Sequence, residues 1–331
     1  MAKVWRLFLV LLGVSLFSLG VCASVGSVSW QGRMFNEGAK WFVHNFEALT
    51  GRDLLVESLQ NPYPYDFSSW KAPWGYEVRE VELEQARGFL LSRKWGSSPR
   101  VVYQLHGGAY IARFSKSYED TALRYSRAAQ GAAVFSLDYR TAPDFVHPSA
   151  LEDALNGYQW LLSQGYAPEN IVVAGDSAGG GLALALCLWL RDHGQPLPAK
   201  LVLSSPWTDL DARGESYTTN VQADAFFGVK DAANAPRYPV PLTYAGEHVL
   251  TDPYLSPAYG DFSGLPPMLI QTGSEEVLLS DSQTVAQKAQ VAGVEVRLLV
   301  YEGMFHCFYV VAPNIPEGKD AWEEIGGFLG E

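Results

Sequence analysis

The sequence predicts an α/β chain with a mostly parallel central sheet, flanked by helices and carrying a small cap. Three observations predict it. From about residue 101 onward, short apolar runs alternate with amphipathic helical patterns, as expected of strands buried on both faces beneath crossover helices. One of these runs, 171–174, passes through a Gly-x-Ser-x-Gly turn directly into an apolar helix. Finally, 331 residues with 48% hydrophobic content suffice for one such domain and a small appendage.

Taken in order, the first residues differ in kind from the rest. Lys3 and Arg6 precede an apolar run from Leu7 to Val21, Val21-Cys22-Ala23 resembles a small-residue cleavage site, and the first acidic residue is Glu37. Residues 1–23 therefore read as an export signal, cleaved near Ala23 or retained as a membrane anchor. Extended through Gly26, the run reaches about 20 residues, enough to span a bilayer. Either alternative puts the rest of the chain outside the cytoplasm. In residues 24–67, Phe35, Ala39, Phe42, Phe46 and Leu49 fall at helical spacing until Gly51 stops the pattern, which predicts a packing helix or a cap over a pocket. Pro62, Pro64 and Pro73 mark an irregular connection.

Residues 68–331 make up the main domain. Strands are expected at 77–83, 88–95, 101–105, 132–137, 171–174, 201–204, 268–272 and 296–301. Helices are expected at 118–130, 150–164, from the Gly-rich turn to about His193, 281–292 and 319–329. The interval 207–257 breaks this rhythm and reads as a cap insertion over the strand ends. In open parallel sheets, sites lie at the carboxyl ends of the strands.

Several function classes are excluded. A net charge of −12 leaves nothing to neutralise a nucleic-acid backbone. No Lys-Ser/Thr follows the glycines, no dinucleotide glycine fingerprint follows a strand, and no His/Cys/Asp cluster has metal-ligand spacing, so neither cofactor nor metal is implied. Of the three cysteines, Cys187 reads as a buried apolar thiol, and a Cys187–Cys307 disulfide is left open.

The chemistry centres on Ser177. The turn after 171–174 demands a strained serine, with Gly175 and Gly179 letting backbones pass closely; the bland alternative is a Gly-rich helix entry that only packs. His106-Gly107-Gly108-Ala109-Tyr110 follows another strand, and a Gly-rich loop there can aim amides at one point. Gly108, Ala109 and Ala178 are the expected oxyanion donors, while His106 reads as a residue holding the loop in shape. His306, after the last strand, is the candidate base, with a satisfied surface histidine as the alternative.

With these motifs the sequence resembles the hormone-sensitive-lipase-like branch of the α/β-hydrolase esterases. The resemblance rests on His106–Tyr110, Gly175–Gly180, Ser274–Asp281 and Gly303–Phe308, together with Asp138-Tyr139-Arg140-Thr141-Ala142-Pro143, Ser205-Pro206-Trp207-Thr208-Asp209-Leu210 and Asp252-Pro253-Tyr254-Leu255-Ser256-Pro257. It spans roughly residues 101–308 and leaves those before about 68 unmatched.

The resemblance implies an α/β-hydrolase fold and a serine carboxylesterase for modest-sized apolar acyl groups, with a small-molecule ester as its partner. Its pattern of an acid, a leucine two residues on and a second acid aligns Glu276 as the residue that orients His306, with Glu275 as the alternative and Asp281 as a helix cap. Tyr110, Trp207 and Phe305 are the expected pocket residues, with Phe114, Phe226 and Phe227 as further candidates. Asp176, Asp138 and Arg140 are expected to make structural contacts, and Gly180 and Gly181 to serve helix–sheet packing. Ala109 stands where the family carries a third glycine. Its Cβ at positive φ would cost about 1–2 kcal/mol, so a negative φ is expected there. A deacetylase, amidase or lipase acting on a lipid, sterol or glycan would use the same machinery, and a non-catalytic binding protein could share the scaffold.

Overall fold

The computed structural model describes residues 21–50, 65–96, 98–238 and 240–331. The strands are β1 (Val21–Val25), β2 (Tyr76–Glu82), β3 (Arg87–Arg93), β4 (Val101–Leu105), β5 (Ala133–Asp138), β6 (Ile171–Asp176), β7 (Lys200–Ser204), β8 (Met268–Gly273) and β9 (Val296–Tyr301). Among the described residues they form one sheet, in the order β1-β9-β8-β7-β6-β4-β5-β3-β2. Only the β2–β3 and β3–β5 pairs are antiparallel. The helices are α1 (Trp30–Thr50), α2 (Ser117–Ala128), α3 (Ser149–Ser163), α4 (Ala178–Asp192), the single turn α5 (Ser216–Thr219), α6 (Leu279–Val291), the single turn α7 (Phe308–Val311) and α8 (Pro316–Gly330).

The central strands are apolar throughout because both of their faces are covered. Val101, Tyr103 and Leu105 of β4, with Ile171 and Val173 of β6, enter one core beneath α3, α4 and α6. Val102, Val172, Ala174 and Leu269 enter the opposite core beneath α2 and α8. Each expected strand and long helix of the main domain is present, with ends displaced by only a few residues. Three elements were missed, the single turn α5 among them. β1, read as the end of a leader, pairs in parallel with β9 over five positions from Val21 to Val25, so cleavage near Ala23 would divide it. α7 is too short for a periodic signal. The leader residues 1–20 lie outside the described residues, as do Gly51, Pro62, Pro64 and the side chains of Phe46 and Leu49.

Helix α1 starts at Ser29, whose Oγ accepts from the Gly32 amide at 2.9 Å. Its inner face is held by Asn36, which donates through Nδ2 to Glu275 Oε2 (2.6 Å) and to the Gly303 carbonyl (3.2 Å), and by Phe35 stacked on Phe305 at 5.1 Å. Between Trp207 and Pro257 the chain makes short turns only, as the break in periodicity predicts. Lys230 Nζ reaches Asn45 Oδ1 at 2.8 Å, so this insertion meets α1.

Register decides where the loops gather. Leu105 pairs with Gly175, Asp176 with Ser204, and Gly273 with Tyr301, so the loops leaving β4, β6, β7, β8 and β9 emerge along one edge. Glycine makes the closest approach possible: a Cβ on Gly179 would lie 2.2 Å from the Leu105 carbonyl oxygen and 2.4 Å from that of His106. Because both are backbone atoms, Gly179→Ala is expected to destabilise the fold by about 3 kcal/mol, the severe end of overpacking, read as a lowered midpoint in denaturant titration.

Candidate active site

Ser177 occupies the junction of β6 and α4 at φ 52°, ψ −122°, a sparsely populated conformation for a residue with a Cβ. Its amide donates to the Ser204 carbonyl at 2.9 Å, and its own carbonyl accepts from the amides of Gly180, Gly181 and Trp207. The turn is thus anchored on both sides. A Cβ on Gly175 would stand 2.2 Å from the Gly179 oxygen, so the flanking glycines do permit the close passage that the sequence suggested. Gly180 packs against Pro206 and the Gly175 carbonyl of β6, and Gly181 against the Trp207 carbonyl of the loop after β7.

The loop after β4 departs from expectation at Ala109. Gly108, Ala109 and Tyr110 have φ of 107°, 55° and 58°, so the negative φ expected of Ala109 is wrong, and Tyr110 shares the conformation. Tertiary anchoring outweighs the cost. The Gly108 carbonyl accepts from Ile111 and Ala112, the Tyr110 carbonyl accepts from Ala142 at 2.8 Å, and the Tyr110 ring stacks on Tyr244 at 4.2 Å. No described residue accepts a hydrogen bond from the amides of Gly108, Ala109 or Ala178. His106 holds the loop as anticipated: its ring stacks on Tyr139 at 4.0 Å, its Nδ1 lies 2.8 Å from the Gly107 carbonyl, and burial pushes its pKa down.

Glu276 is fully buried, and its carboxylate meets four donors. Oε1 accepts from Ser205 Oγ (2.7 Å), Thr272 Oγ1 (3.1 Å) and the Gly273 amide (2.5 Å), and Oε2 lies 2.9 Å from His306 Nδ1. A carboxylate can only accept, so Nδ1 carries a proton, and in the neutral imidazole Nε2 presents the lone pair. Glu275 points away, to Asn36 of α1. Burial opposes charge on His306, but the Cys307 sulfur 3.5 Å from Nε2 and the Glu276 carboxylate outweigh it and hold the imidazole well above its usual pKa. Burial pushes the Cys307 thiol up as well, so near neutrality the upward pull that opposes burial is that of the Glu276 carboxylate.

Ser177 and His306 line one cavity of about 500 Å³ with Gly108, Ala109, Phe226, Phe227, Val310, Val311 and Val43 of α1. Three expected pocket residues are absent from its wall. Tyr110 and Trp207 are buried against one another behind the Gly-rich loop, and Phe305 is sandwiched between Phe35 and Phe226. Phe114 packs instead with Tyr65, Trp70 and Phe89. Aromatic content alone does not reveal which face of a loop an aromatic side chain will take.

The remaining polar residues tie the loops together. Asp176 Oδ2 accepts from Tyr118 Oη (2.9 Å), which in turn accepts from the Gly107 amide, and burial pushes this carboxyl up to about 6. Asp138 pairs with Arg87, and Arg140 with the buried Asp153, all structural contacts as expected. Asp281 does not cap α6. Its Oδ2 takes the Thr208 and Asp209 amides at 2.7 and 2.8 Å, buried donors that would otherwise be orphaned, and burial raises it to about 7. The sequence reading missed Asp224, which accepts from Phe226, Phe227 and Val277, and Ser205, which donates to Glu276 while accepting from the Cys307 amide. Asp224 carries no local signal, and Ser205 was seen only as the first residue of the 205–210 motif. Cys187 and Cys307 are both free thiols.

A sequence profile of the alpha/beta hydrolase fold matches residues 102–310. The chain is 43% identical over 234 residues to an acetyl-hydrolase of Streptomyces hygroscopicus, covering 70% of this chain and 75% of the relative. An esterase of Acinetobacter venetianus is 33% identical over 258 residues, covering 76% and 81%. The crystal structure of an esterase from the bacterial hormone-sensitive lipase family superposes with a TM-score of 0.75 at 33% identity, covering 91% of this chain and 98% of that one. The chain belongs to the α/β-hydrolase fold family and is a serine carboxylic ester hydrolase of its hormone-sensitive-lipase-like branch.

Proposed function

We propose that Ser177, His306 and Glu276 act as the catalytic triad of a carboxylesterase for esters with modest-sized apolar acyl groups. The 2.9 Å contact between His306 Nδ1 and Glu276 Oε2, at the wall of the cavity that Ser177 shares, carries this reading. Glu276 fixes the imidazole so that Nε2 takes the Ser177 proton as Oγ attacks the ester carbonyl. Negative charge gathers on the carbonyl oxygen, and the amides of Gly108, Ala109 and Ala178 receive it. His306 returns the proton to the leaving alcohol, and water then releases the acyl group by the same path. On the Nε2 side the Cys307 sulfur makes only a 3.5 Å contact.

Val43, Phe226, Phe227, Val310 and Val311 give the cavity an apolar wall suited to an acyl chain. The name acetyl-hydrolase carried by one relative fits the small end of that range. Residues 1–23 serve as an export signal or anchor, so the chemistry takes place outside the cytoplasm.

A serine-directed fluorophosphonate is expected to label the wild-type chain, with no labelling and no turnover of short p-nitrophenyl esters by Ser177→Ala; full activity in that variant would move the nucleophile elsewhere. Glu276→Gln should lower kcat on the order of 10³–10⁴-fold, as loss of a triad acid does. Glu275→Gln should stay within about threefold, because it touches only α1. The rate should also follow the unprotonated base. With His306 held above 6.5, kcat/KM is expected to rise with pH through an inflection on the alkaline side of that value, and Glu276→Gln should move the inflection down. An inflection unchanged by Glu276→Gln would remove Glu276 from the role of base partner.

A further inference from the structure

We propose that Asn220 and Asp224 are positioning residues that couple the acyl wall of the cavity to Glu276, so that acyl length is read in turnover as well as in binding. The proposal rests on Glu276 being the triad acid. Glu276 and Val277 share a planar peptide unit, and the insertion holds both of its polar atoms. The Glu276 carbonyl accepts from Asn220 Nδ2 at 2.8 Å, and the Val277 amide donates to Asp224 Oδ2 at 2.8 Å. Asn220 Nδ2 also donates to the Ser274 carbonyl at 2.9 Å, and Ser216 Oγ to the Val277 carbonyl at 2.6 Å. The backbone that carries the Glu276 side chain therefore cannot turn without breaking one of these bonds.

The same two residues hold the wall. Asp224 is fully buried, and its other oxygen, Oδ1, accepts from the amides of Phe226 at 2.8 Å and Phe227 at 2.9 Å. Both phenylalanines line the cavity, and the Phe227 ring stands edge-on to His306 with centroids 4.9 Å apart. The Asn220 carbonyl accepts from the amides of Ala223 and Asp224, each at 2.9 Å, which closes the turn that carries both side chains. Wall, turn and acid backbone form one hydrogen-bonded unit. Contact between an acyl chain and a wall alone is made equally in the ground state and the transition state, so it changes KM. Glu276 acts on the imidazolium that forms only as the reaction proceeds, so a change in its placement appears in kcat. A butyryl group presents more surface to the two rings than an acetyl group. Through the shared turn that difference reaches Glu276.

The test measures kcat and KM separately for p-nitrophenyl acetate and p-nitrophenyl butyrate, together with the pH profile of kcat/KM. Wild type is expected to turn over the butyrate with the higher kcat. Asn220→Ala changes no charge, and it should lower kcat for the butyrate on the order of 10²-fold, as a small misplacement of a catalytic group does. It should also bring the two kcat values within about twofold of each other, with each KM within about twofold of wild type. Its pH inflection should move down, because Glu276 no longer holds the imidazolium squarely. Asp224→Asn puts a donor where an amide needs an acceptor and should act in the same direction; where it fails to fold, Asn220→Ala decides. Gln222→Ala breaks an exposed bond to the Lys230 carbonyl in the same segment and should match wild type. Equal wild-type kcat values for the two esters overturn the proposal. So does an equal loss for both esters in Asn220→Ala with the inflection unmoved, or a Gln222→Ala variant that loses as much. Glu276→Gln in the same assay separates the two readings. Unchanged kcat there removes the triad acid and the coupling with it, whereas lost kcat there beside an unaffected Asn220→Ala overturns the coupling alone.

Discussion

The carboxylate of Glu276 is the constraint around which the site closes. Withdrawing an ionised carboxylate from water costs several kcal/mol unless its oxygens are bonded, and hydrogen bonds to charged groups return about 1.5–3 kcal/mol each. Four donors from the ends of β7, β8 and β9 meet that demand. Ser205 then passes the order outward by accepting from the Cys307 amide, and Asn220 holds the acid loop through the Ser274 and Glu276 carbonyls. The orientation of His306 is therefore a consequence of satisfying a buried charge. The loops cannot relax independently without leaving that charge partly unpaired.

Backbone strain concentrates around the same cavity. Ser177, Ala109, Tyr110 and Cys307 all hold positive φ, each at a cost of order 1–3 kcal/mol. The sheet beneath is packed on both faces, and this over-determination keeps the unfavourable conformations in place. Ala109 shows the balance directly. Its Cβ penalty is smaller than the combined anchoring of the Gly108 and Tyr110 carbonyls and the Tyr110–Tyr244 stack. The result is a loop whose Gly108 and Ala109 line the cavity together with Ser177 and His306.

Helix α1 links this chemistry to the exterior. Through Asn36 and Glu275 it is fastened to the residue beside Glu276, and through Val43 it forms part of the cavity wall. Asp224 does the same for the insertion, collecting the amides of Phe226, Phe227 and Val277, with the Phe227 ring edge-on to His306 and the Phe226 ring on Phe305. Two adjacent glutamates thus divide the work, one bonding the base and one bonding the cap.

The layered fold, the elbow at Ser177 and the chain order of serine, acid and histidine were legible in the residues, because they are written as local patterns: apolar runs, glycine spacing and strand–turn–helix succession. The choice between Glu275 and Glu276 was suggested by register alone, and tertiary structure separated them by turning one toward α1 and the other toward His306. The φ of Ala109, the buried acceptor role of Asp281 and the removal of Tyr110, Trp207 and Phe305 from the cavity wall were not legible. Each depends on contacts the fold brings together, such as Tyr244 on Tyr110, Thr208 on Asp281 and Phe35 on Phe305, or on which face of a loop is left for a ring after the others are seated. By itself the sequence determined which chemistry the chain carries. Only the three-dimensional packing decided which side chains surround it, since desolvation and mutual exclusion act on neighbours in space and leave no periodicity along the chain.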